Sequence, residues 1–253
     1  MGRKASDSGL ISRWETGERT AKPEDVADVV EALKIPDEEA AELLALATGA
    51  GQGGRWHAVT LPERRQQLNA LLAAERTATT VTHVAPLVPP GVLQTSEVIR
   101  VIMSEGDVPP DEIDERVAVR IGRRDLITRR DPAHLDVLLG EAAIRHVIGG
   151  RQVWADQLQY LLEVGQLPNV DLRILPFGAG WNAALRGSYI LIDSDEAPSI
   201  VSLDLHGGGL LLYADEDISK HRRSAEAARE KAMSPADSAG LIAAVRNELE
   251  ETE

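Results

Sequence analysis

The chain contains no cysteine and few aromatic residues, and both absences limit what it can be. Without cysteine there is no disulfide framework and no cysteine-based zinc site, which is typical of proteins in a reducing compartment. Four tryptophans, three tyrosines and one phenylalanine leave the core mainly to aliphatic side chains. The 253 residues are enough for one large domain or two smaller ones with a sizeable apolar core.

Long apolar runs are also missing. No stretch approaches the ~20 apolar residues of a membrane-spanning helix, and the N-terminus has no apolar core of a secretory signal. We therefore expect a cytoplasmic protein without membrane contact.

The net charge of −14 disfavours non-specific contact with nucleic acid over most of the surface. Residues 1–22 are the exception, because five basic residues stand against three acidic ones, a net +2. Residues 23–48 reverse this balance, with eight acidic residues against one lysine, a net −7. This change predicts one face suited to phosphates and one turned away from them.

The first 48 residues have the pattern of short helices. Pro23 suits the first helical position, and the two acids after it favour the positive end of the helix dipole. Apolar side chains then recur at helical spacing and predict one buried stripe, formed by Val26, Val29, Val30 and Leu33. A second helix is expected from Pro36, with an apolar face of Leu43, Leu44 and Ala47.

Glycine density marks a linker after these helices. The stretch TGAGQGG begins at Thr48, and helix there is costly. We therefore divide the chain into a helical DNA-binding segment over 1–48, a linker over 49–60 and a regulatory domain over 61–253.

The regulatory domain alternates between strand and helix patterns. Strands are predicted over 80–87, 134–140, 170–177, 188–193, 199–205 and 209–214. Helices are predicted over 61–76, 94–104, 111–127, 141–147, 151–165, 218–232 and 235–250. The predicted fold class is α+β, with an all-helical segment followed by a mixed α/β domain, in one sheet or two.

The basic segment has the pattern of a DNA-recognition helix. Small polar residues begin it at Ser6, an apolar stripe of Leu10, Ile11 and Trp14 faces inward, and Gly17 ends it. In a helix-turn-helix such a helix lies in the major groove while basic groups nearby hold phosphates. On spacing alone, an ordinary amphipathic N-terminal helix with a few surface arginines is the favoured interpretation of the stretch.

Two resemblances favour the first interpretation. ISRWETGERTAKPEDV resembles the recognition helix and following segment of XRE (lambda-repressor-like) helix-turn-helix regulators. The remainder resembles the C-terminal domain of WhiJ-type regulators of actinobacteria, over PLVPPGVLQTSEVIRVIM, RVAVRIGRRDLITRRDPAHLDVLLGEAAIRHVIGG, QLQYLLEVGQLPNVDLRILPFGAG and MSPADSAGLIAAV. The resemblance implies a transcription regulator, often with a small partner protein encoded nearby.

The candidate DNA contacts follow from the helix and the resemblance together. Side chains on the outer face are expected at bases or the DNA backbone, and basic residues on either side are expected at phosphates. These candidates are Arg3, Lys4, Ser6, Ser8, Ser12, Arg13, Arg19 and Lys22.

Members of that group carry a first helix and most of a second before the recognition helix. This chain lacks both ahead of Ser6, so the N-terminal part of the helix-turn-helix is expected to be missing. Burial of each inner apolar side chain is worth ~1.5–3 kcal/mol, so residues 1–22 would be less stable without those helices. Two alternatives stay open: the true start lies upstream, or a shortened form binds DNA weakly or not at all.

A second basic cluster follows residue 115. It is a candidate surface for an acidic partner protein, through Arg116, Arg120, Arg123 and Arg124. The alternative is a solvated helix face with ion pairs between Glu112 and Arg116 and between Asp125 and Arg129.

Enzyme and cofactor signatures are absent from the sequence. The six histidines show no metal-ligand spacing, and no G-x-S-x-G nucleophile motif occurs. The glycines over 177–187 and 206–209 indicate turns, and those of the second group also leave room for a ligand close to the backbone. We expect no catalytic residue, no metal and no cofactor.

The sequence therefore predicts a cytoplasmic transcription regulator. We expect a homodimer that places two recognition helices on DNA, controlled through the C-terminal domain by a partner protein or a small ligand. The alternative is an interaction or ligand-sensing module of an antitoxin-like pair that no longer binds DNA.

Overall fold

The structure is a computed structural model with two compact units, Met1–Ala58 and Val59–Glu253. It describes residues 11, 14, 21–36, 39–41, 43–44, 47, 61–106, 108–205 and 208–251. The linker predicted over 49–60 lies outside the described residues.

Helix α1 of the first unit, Pro23–Leu33, begins at the predicted proline. Lys22 precedes it, and its backbone N–H donates to Oδ2 of Asp25 at 3.3 Å, so an acid of the first turn caps the helix. Lys34 ends it with a φ of 52°. The predicted burial is wrong at Leu33, which is 68% exposed because it occupies the last helical position, while the three valines are half-buried.

The second predicted helix of this unit is described only in part. Residues 39–41, 43, 44 and 47 are helical. Ala47 is buried, as its position on the predicted apolar face requires.

In the second unit the six predicted strands are all present, each within two residues of its predicted bounds. They are β1 Thr80–Ala85, β2 His134–Gly140, β3 Val170–Leu175, β4 Tyr189–Asp193, β5 Ile200–Leu205 and β6 Gly208–Leu212. The helices are α2 Leu61–Thr77, α3 Ser96–Glu105, α4 Ile113–Gly122, α5 Asp125–Thr128, α6 Ala142–Arg145, α7 Arg151–Val164, α8 Asp215–Arg229 and α9 Pro235–Glu251. The fold class is α+β, as predicted.

The described strands form one mixed sheet in the order β3-β2-β1-β4-β5-β6. Strands β1, β2 and β3 are parallel, whereas β4, β5 and β6 join by antiparallel pairing. The carboxyl ends of the three parallel strands therefore meet at one edge of the sheet, where ligands commonly bind in open α/β sheets.

Helices cover both faces of the sheet. On one face α7 and α9 contribute the buried side chains Trp154, Leu158, Leu161, Ile242 and Val245. On the other face α8 packs through Ile218, Ala225 and Ala228. The predicted apolar stripes of α7 and α9 thus lie on the core.

The single helix predicted over 111–127 is wrong. A 3-10 turn at Pro110–Glu112 precedes α4, and a tight turn separates α4 from α5. In that turn the Arg124 N–H donates to the carbonyl of Ile121, three residues back. The bend lets Leu126 and Ile127 enter the core, so tertiary packing outweighs the local preference for a continuous helix.

In the described part of the chain, no helix combines the length and the apolar character needed to cross a membrane.

Candidate functional site

A cavity of about 730 Å³ lies against one face of the sheet in the second unit. Its floor includes a row of residues on four neighbouring strands. His83 is opposite Ile190, Ile190 is opposite Ser202, and Ser202 is opposite Leu211. Three strand spacings separate the ends of this row, a distance of about 14 Å.

Two helices form walls of the cavity. Helix α2 contributes Gln67, Leu68 and Leu71, and the C-terminal end of α4 contributes Arg120 and the C-cap residue Arg123. The loop between β1 and α3 adds mainly apolar side chains. A mostly apolar lining with few polar groups, in a volume of about 300–1,000 Å³, is typical of small-molecule sites.

The cavity reaches the surface at the edge where the parallel strands end. Gly187 and Ser188, which are both exposed, belong to its lining. Leu87 and Val88 of the lining are 59% and 38% exposed, so the mouth has an apolar rim.

His83 is a buried polar side chain of the floor. Alternation along β1 places it on the same face as the core residues Val81 and Ala85, and it is 4% exposed. Its Nε2 has no hydrogen-bond partner among the described residues. An unsatisfied buried polar atom destabilises the fold by ~1–3 kcal/mol. A ligand group that forms a hydrogen bond with Nε2 would remove this penalty.

The charge state of His83 follows from its surroundings. Burial, and after it the positive charge of Arg123, together lower the pKa of His83 from 6.5 to about 3. The ring is therefore neutral at pH 7, with one nitrogen that donates and one that accepts.

Arg123 is held beside the cavity by a buried ion pair. Its Nε donates to Oε2 of Glu75 at 2.9 Å, and its Nη2 donates to Oε1 at 2.6 Å. The two side chains are 12% and 5% exposed, respectively. Because Glu75 belongs to α2, this fork-shaped pair fixes the C-terminal part of α2 against the end of α4.

Arg129 anchors the same end of α2. Its Nη1 donates to the carbonyls of Glu75 and Arg76, and its Nη2 donates to that of Ala78. These are C-terminal carbonyls without a partner inside the helix, and a cation there also favours the helix dipole. The anchored end of α2 therefore lies one to two turns from the residues that line the cavity.

Gln94 organises the loop beside the two arginines. It is 4% exposed, and its Nε2 donates to the carbonyl of Pro89 at 2.7 Å. Arg120 Nη1 donates to Gln94 Oε1 at 3.1 Å, and Arg124 Nη2 donates to the Gln94 carbonyl at 2.6 Å. This end of the cavity is consequently rich in hydrogen-bond donors.

Gln67 lies towards the other end of the floor. Its Oε1 is buried without a hydrogen-bond partner in the described part of the chain. A Cβ on Gly209 of β6 would lie 3.9 Å from that oxygen, so Gln67 and Gly209 are neighbours. Gly209 is three strands away from His83, which gives the cavity two distinct polar positions.

A family model described as "Domain of unknown function (DUF5753)" matches residues 68–244. The chain belongs to the DUF5753 family. The match begins within α2 and ends within α9, so the DUF5753 domain includes the whole sheet. No curated protein and no solved structure matches the chain.

The predicted partner-binding arginines lie in different surroundings within the DUF5753 domain. Arg116 is exposed and pairs with Glu112 at 2.6 Å, so this predicted ion pair is confirmed. Arg120 and Arg123 line the cavity, and Arg124 stacks over the Tyr160 ring at 4.7 Å. Partner binding by the four arginines stays a prediction.

The second predicted ion pair of this cluster is wrong. The guanidinium of Arg129 donates to main-chain carbonyls around α2 and not to the carboxylate of Asp125. Helix α5 ends at Thr128, so Arg129 is its C-cap residue in an extended conformation, and its guanidinium binds the C-terminal carbonyls of α2 instead.

The predicted DNA contacts belong to the chain before the DUF5753 domain, and seven of them lie outside the described residues. These are Arg3, Lys4, Ser6, Ser8, Ser12, Arg13 and Arg19. Lys22 is exposed, and its Nζ lies 3.6 Å from Oε1 of Glu24. Ile11 and Trp14 of the predicted inner stripe are helical and half-buried.

The sequence did not single out His83. It was one of six histidines without ligand spacing, and such residues are usually structural. The available signal was its place in TVTHVA, where alternation puts it on the core face between two apolar residues. Within the described residues, no group of three or more His, Asp or Glu side chains is arranged to hold a metal ion.

Proposed function

We propose that the chain is a transcription regulator whose DUF5753 domain binds a small molecule in the cavity and thereby controls DNA contact by residues 1–22. The observation that carries the ligand-binding part is the cavity itself, with the buried and unpaired Nε2 of His83 in its floor. A buried polar atom without a partner is uncommon in a folded core and calls for an explanation such as a ligand.

Three features support the DNA-binding part. The segment ISRWETGER resembles a recognition helix, and residues 1–22 carry a net +2 in a chain of net −14. DUF5753 domains are also paired with an XRE helix-turn-helix in some proteins. Two half-sites on DNA would be engaged by a homodimer.

Helix α2 supplies a route for control. It lines the cavity with Gln67, Leu68 and Leu71, and it is the first helix of the second unit, directly after the predicted linker. Its C-terminal end is held by Arg123 and Arg129, whereas the part that lines the cavity lies nearer the linker. A ligand that shifts this part changes how the chain enters the linker and so biases the position of the DNA-binding segment.

The DNA-binding part is tested by a mobility-shift titration with the DNA immediately upstream of the chain's own gene. We expect binding that weakens steeply with salt, and Arg13→Ala combined with Arg19→Ala to lower the slope of log affinity against log salt by about 1 for each lost phosphate contact. Arg130→Ala, which removes an exposed arginine of the second unit, is the matched control and should leave the slope unchanged.

Absence of a shift at low salt, or equal losses in the double variant and the control, would contradict DNA binding by this segment. If a partner protein then co-purifies with the chain, the antitoxin-like alternative describes it better.

A further inference from the structure

We propose that the ligand of the cavity is an amphipathic acyl compound, with an apolar body and one carbonyl oxygen held at the end formed by His83, Arg120 and Arg123. This inference rests on the proposed ligand-binding function of the DUF5753 domain and assigns the chemical class of the ligand.

The polar end of the cavity selects an acceptor. Arginine side chains donate and do not accept hydrogen bonds, and two of them, Arg120 and Arg123, belong to the lining. The ion pair with Glu75 occupies Nε and Nη2 of Arg123 and does not use Nη1. The neutral ring of His83 has one N–H, and in the tautomer that carries it on the unpaired Nε2 this nitrogen is a further donor. A carbonyl oxygen, which has two lone pairs, matches such a set of donors.

The same end disfavours a cationic ligand. The described lining residues include two arginines and no aspartate or glutamate. An ammonium group has only N–H donors, so it could not pair with the arginine N–H groups and would lose its own hydrogen bonds to water in a partly buried environment. A carboxylate or an uncharged amide, ester or lactone carbonyl avoids that cost.

The remainder of the cavity selects an apolar body. Leu68 and Leu71 of α2 line the cavity together with the floor residues Ile190 and Leu211, and apolar side chains of the loop after β1 lie at its mouth. Apolar area removed from water on binding contributes about 25 cal/mol per Å². The floor row of about 14 Å is long enough for an extended chain of medium length lying along it.

The probes are octanoate, octanamide and octylammonium, which share one apolar body and differ in the head group. Isothermal titration calorimetry on the full chain measures their affinities. We expect octanoate and octanamide to bind and octylammonium to bind at least tenfold more weakly, because only the first two present an acceptor.

Two variants locate the binding site. His83→Leu removes the ring while keeping an apolar side chain in the floor, and should weaken octanoate and octanamide at least tenfold. Its Tm should equal or exceed that of the unsubstituted chain, because an unpaired buried nitrogen is lost. His134→Leu, the same change at an exposed histidine of β2, should leave the affinities unchanged. Ser202→Phe fills the centre of the floor and should abolish binding of all three probes.

Equal affinities for the three probes, or full octanoate affinity in either cavity variant, would overturn the inference. Selective octanoate binding without a DNA shift would leave the inference standing and remove the DNA-binding part of the proposed function. A salt-dependent DNA shift without octanoate binding would overturn the inference and leave the DNA-binding part of the proposed function standing.

Discussion

At the scale of single residues, His83 is both a buried residue of strand β1 and part of the cavity lining. Its neighbours on the same face of β1, Val81 and Ala85, are buried in the core. An apolar residue in its place would avoid the free-energy cost of an unpaired buried nitrogen. The histidine at this position therefore costs stability, a trade-off that the proposed ligand binding would explain.

The low pKa of His83 predicts how stability depends on pH. Burial, and then the charge of Arg123, lowers that pKa to about 3, so the unfolded chain binds more protons than the folded one between pH 6.5 and about 3. Stability therefore falls as the pH decreases from 6.5. His83→Leu lacks this titration. We therefore expect its free energy of unfolding, relative to that of the unsubstituted chain, to increase by up to ~1.4 kcal/mol for each unit by which the pH falls within that window.

Urea unfolding at pH 7, 6 and 5 measures this difference. His134→Leu, which removes an exposed imidazole, is the control. A difference between His83→Leu and the unsubstituted chain that stays constant over the three pH values would show that His83 titrates normally in the folded state.

Sequence alone predicts the side of the sheet on which His83 lies, but not its unpaired state. Alternation along β1 is local and visible in TVTHVA. The groups around the ring come from distant positions, because the Glu75–Arg123 pair joins residues 48 apart in the chain. The local sequence pattern predicts surface positions for Arg124 and Arg129. Their inward contacts could not be predicted, because the partners are again distant in the chain.

At the scale of elements, strands and helices were predictable because their signals are local. Strands β2 to β6 are rich in apolar residues and bounded by proline, glycine or acidic residues, and β1 is a β-branched stretch that ends at Pro86. The failure over 111–127 has a tertiary cause, since Leu126 and Ile127 enter the core only if the helix bends. Nothing in the helix propensity of the two arginines before Asp125 marks that bend.

Gly140 at the end of β2 offers a test of how the mouth of the cavity is built. A Cβ there would lie 2.2 Å from the carbonyl oxygen of Pro86, which begins the loop that lines the cavity. We expect Gly140→Ala to destabilise the fold by ~2 kcal/mol or more, since backbone must move to relieve the clash. It should also weaken octanoate binding, because the displaced loop lies at the mouth.

Gly122→Ala is the matched control for this substitution. A Cβ at this helical position meets nothing within 4 Å, so alanine should stabilise the chain by ~0.5–1 kcal/mol and leave octanoate affinity unchanged. Urea unfolding and calorimetry check both variants. A Gly140→Ala chain as stable as the control would show that the contact between β2 and the loop is not tight.

At the scale of the whole molecule, the sequence indicated the class of fold but not its topology. The pairing of β1 with β4 joins Thr80 to Asp193, across most of the second unit. Such pairing depends on global packing, so one sheet and two sheets were equally compatible with the strand pattern. The cavity could not be predicted either, because its floor requires four strands in that order.

Control of DNA binding by a ligand requires a coupling free energy between the cavity and the DNA-binding segment. If octanoate binding and DNA binding are coupled, each changes the affinity of the other by the same factor. Coupling of ~1–3 kcal/mol, about 5- to 150-fold, is usual for such regulation. Ser202→Phe, which fills the cavity, should remove the response to octanoate whatever its direction.

The most direct measurement is fluorescence anisotropy of labelled DNA from upstream of the gene, titrated with the chain in the presence and absence of saturating octanoate. We expect a Kd for DNA that changes at least fivefold with octanoate in the unsubstituted chain and does not change in Ser202→Phe. The same Kd with and without octanoate in the unsubstituted chain would contradict control of DNA binding through this cavity.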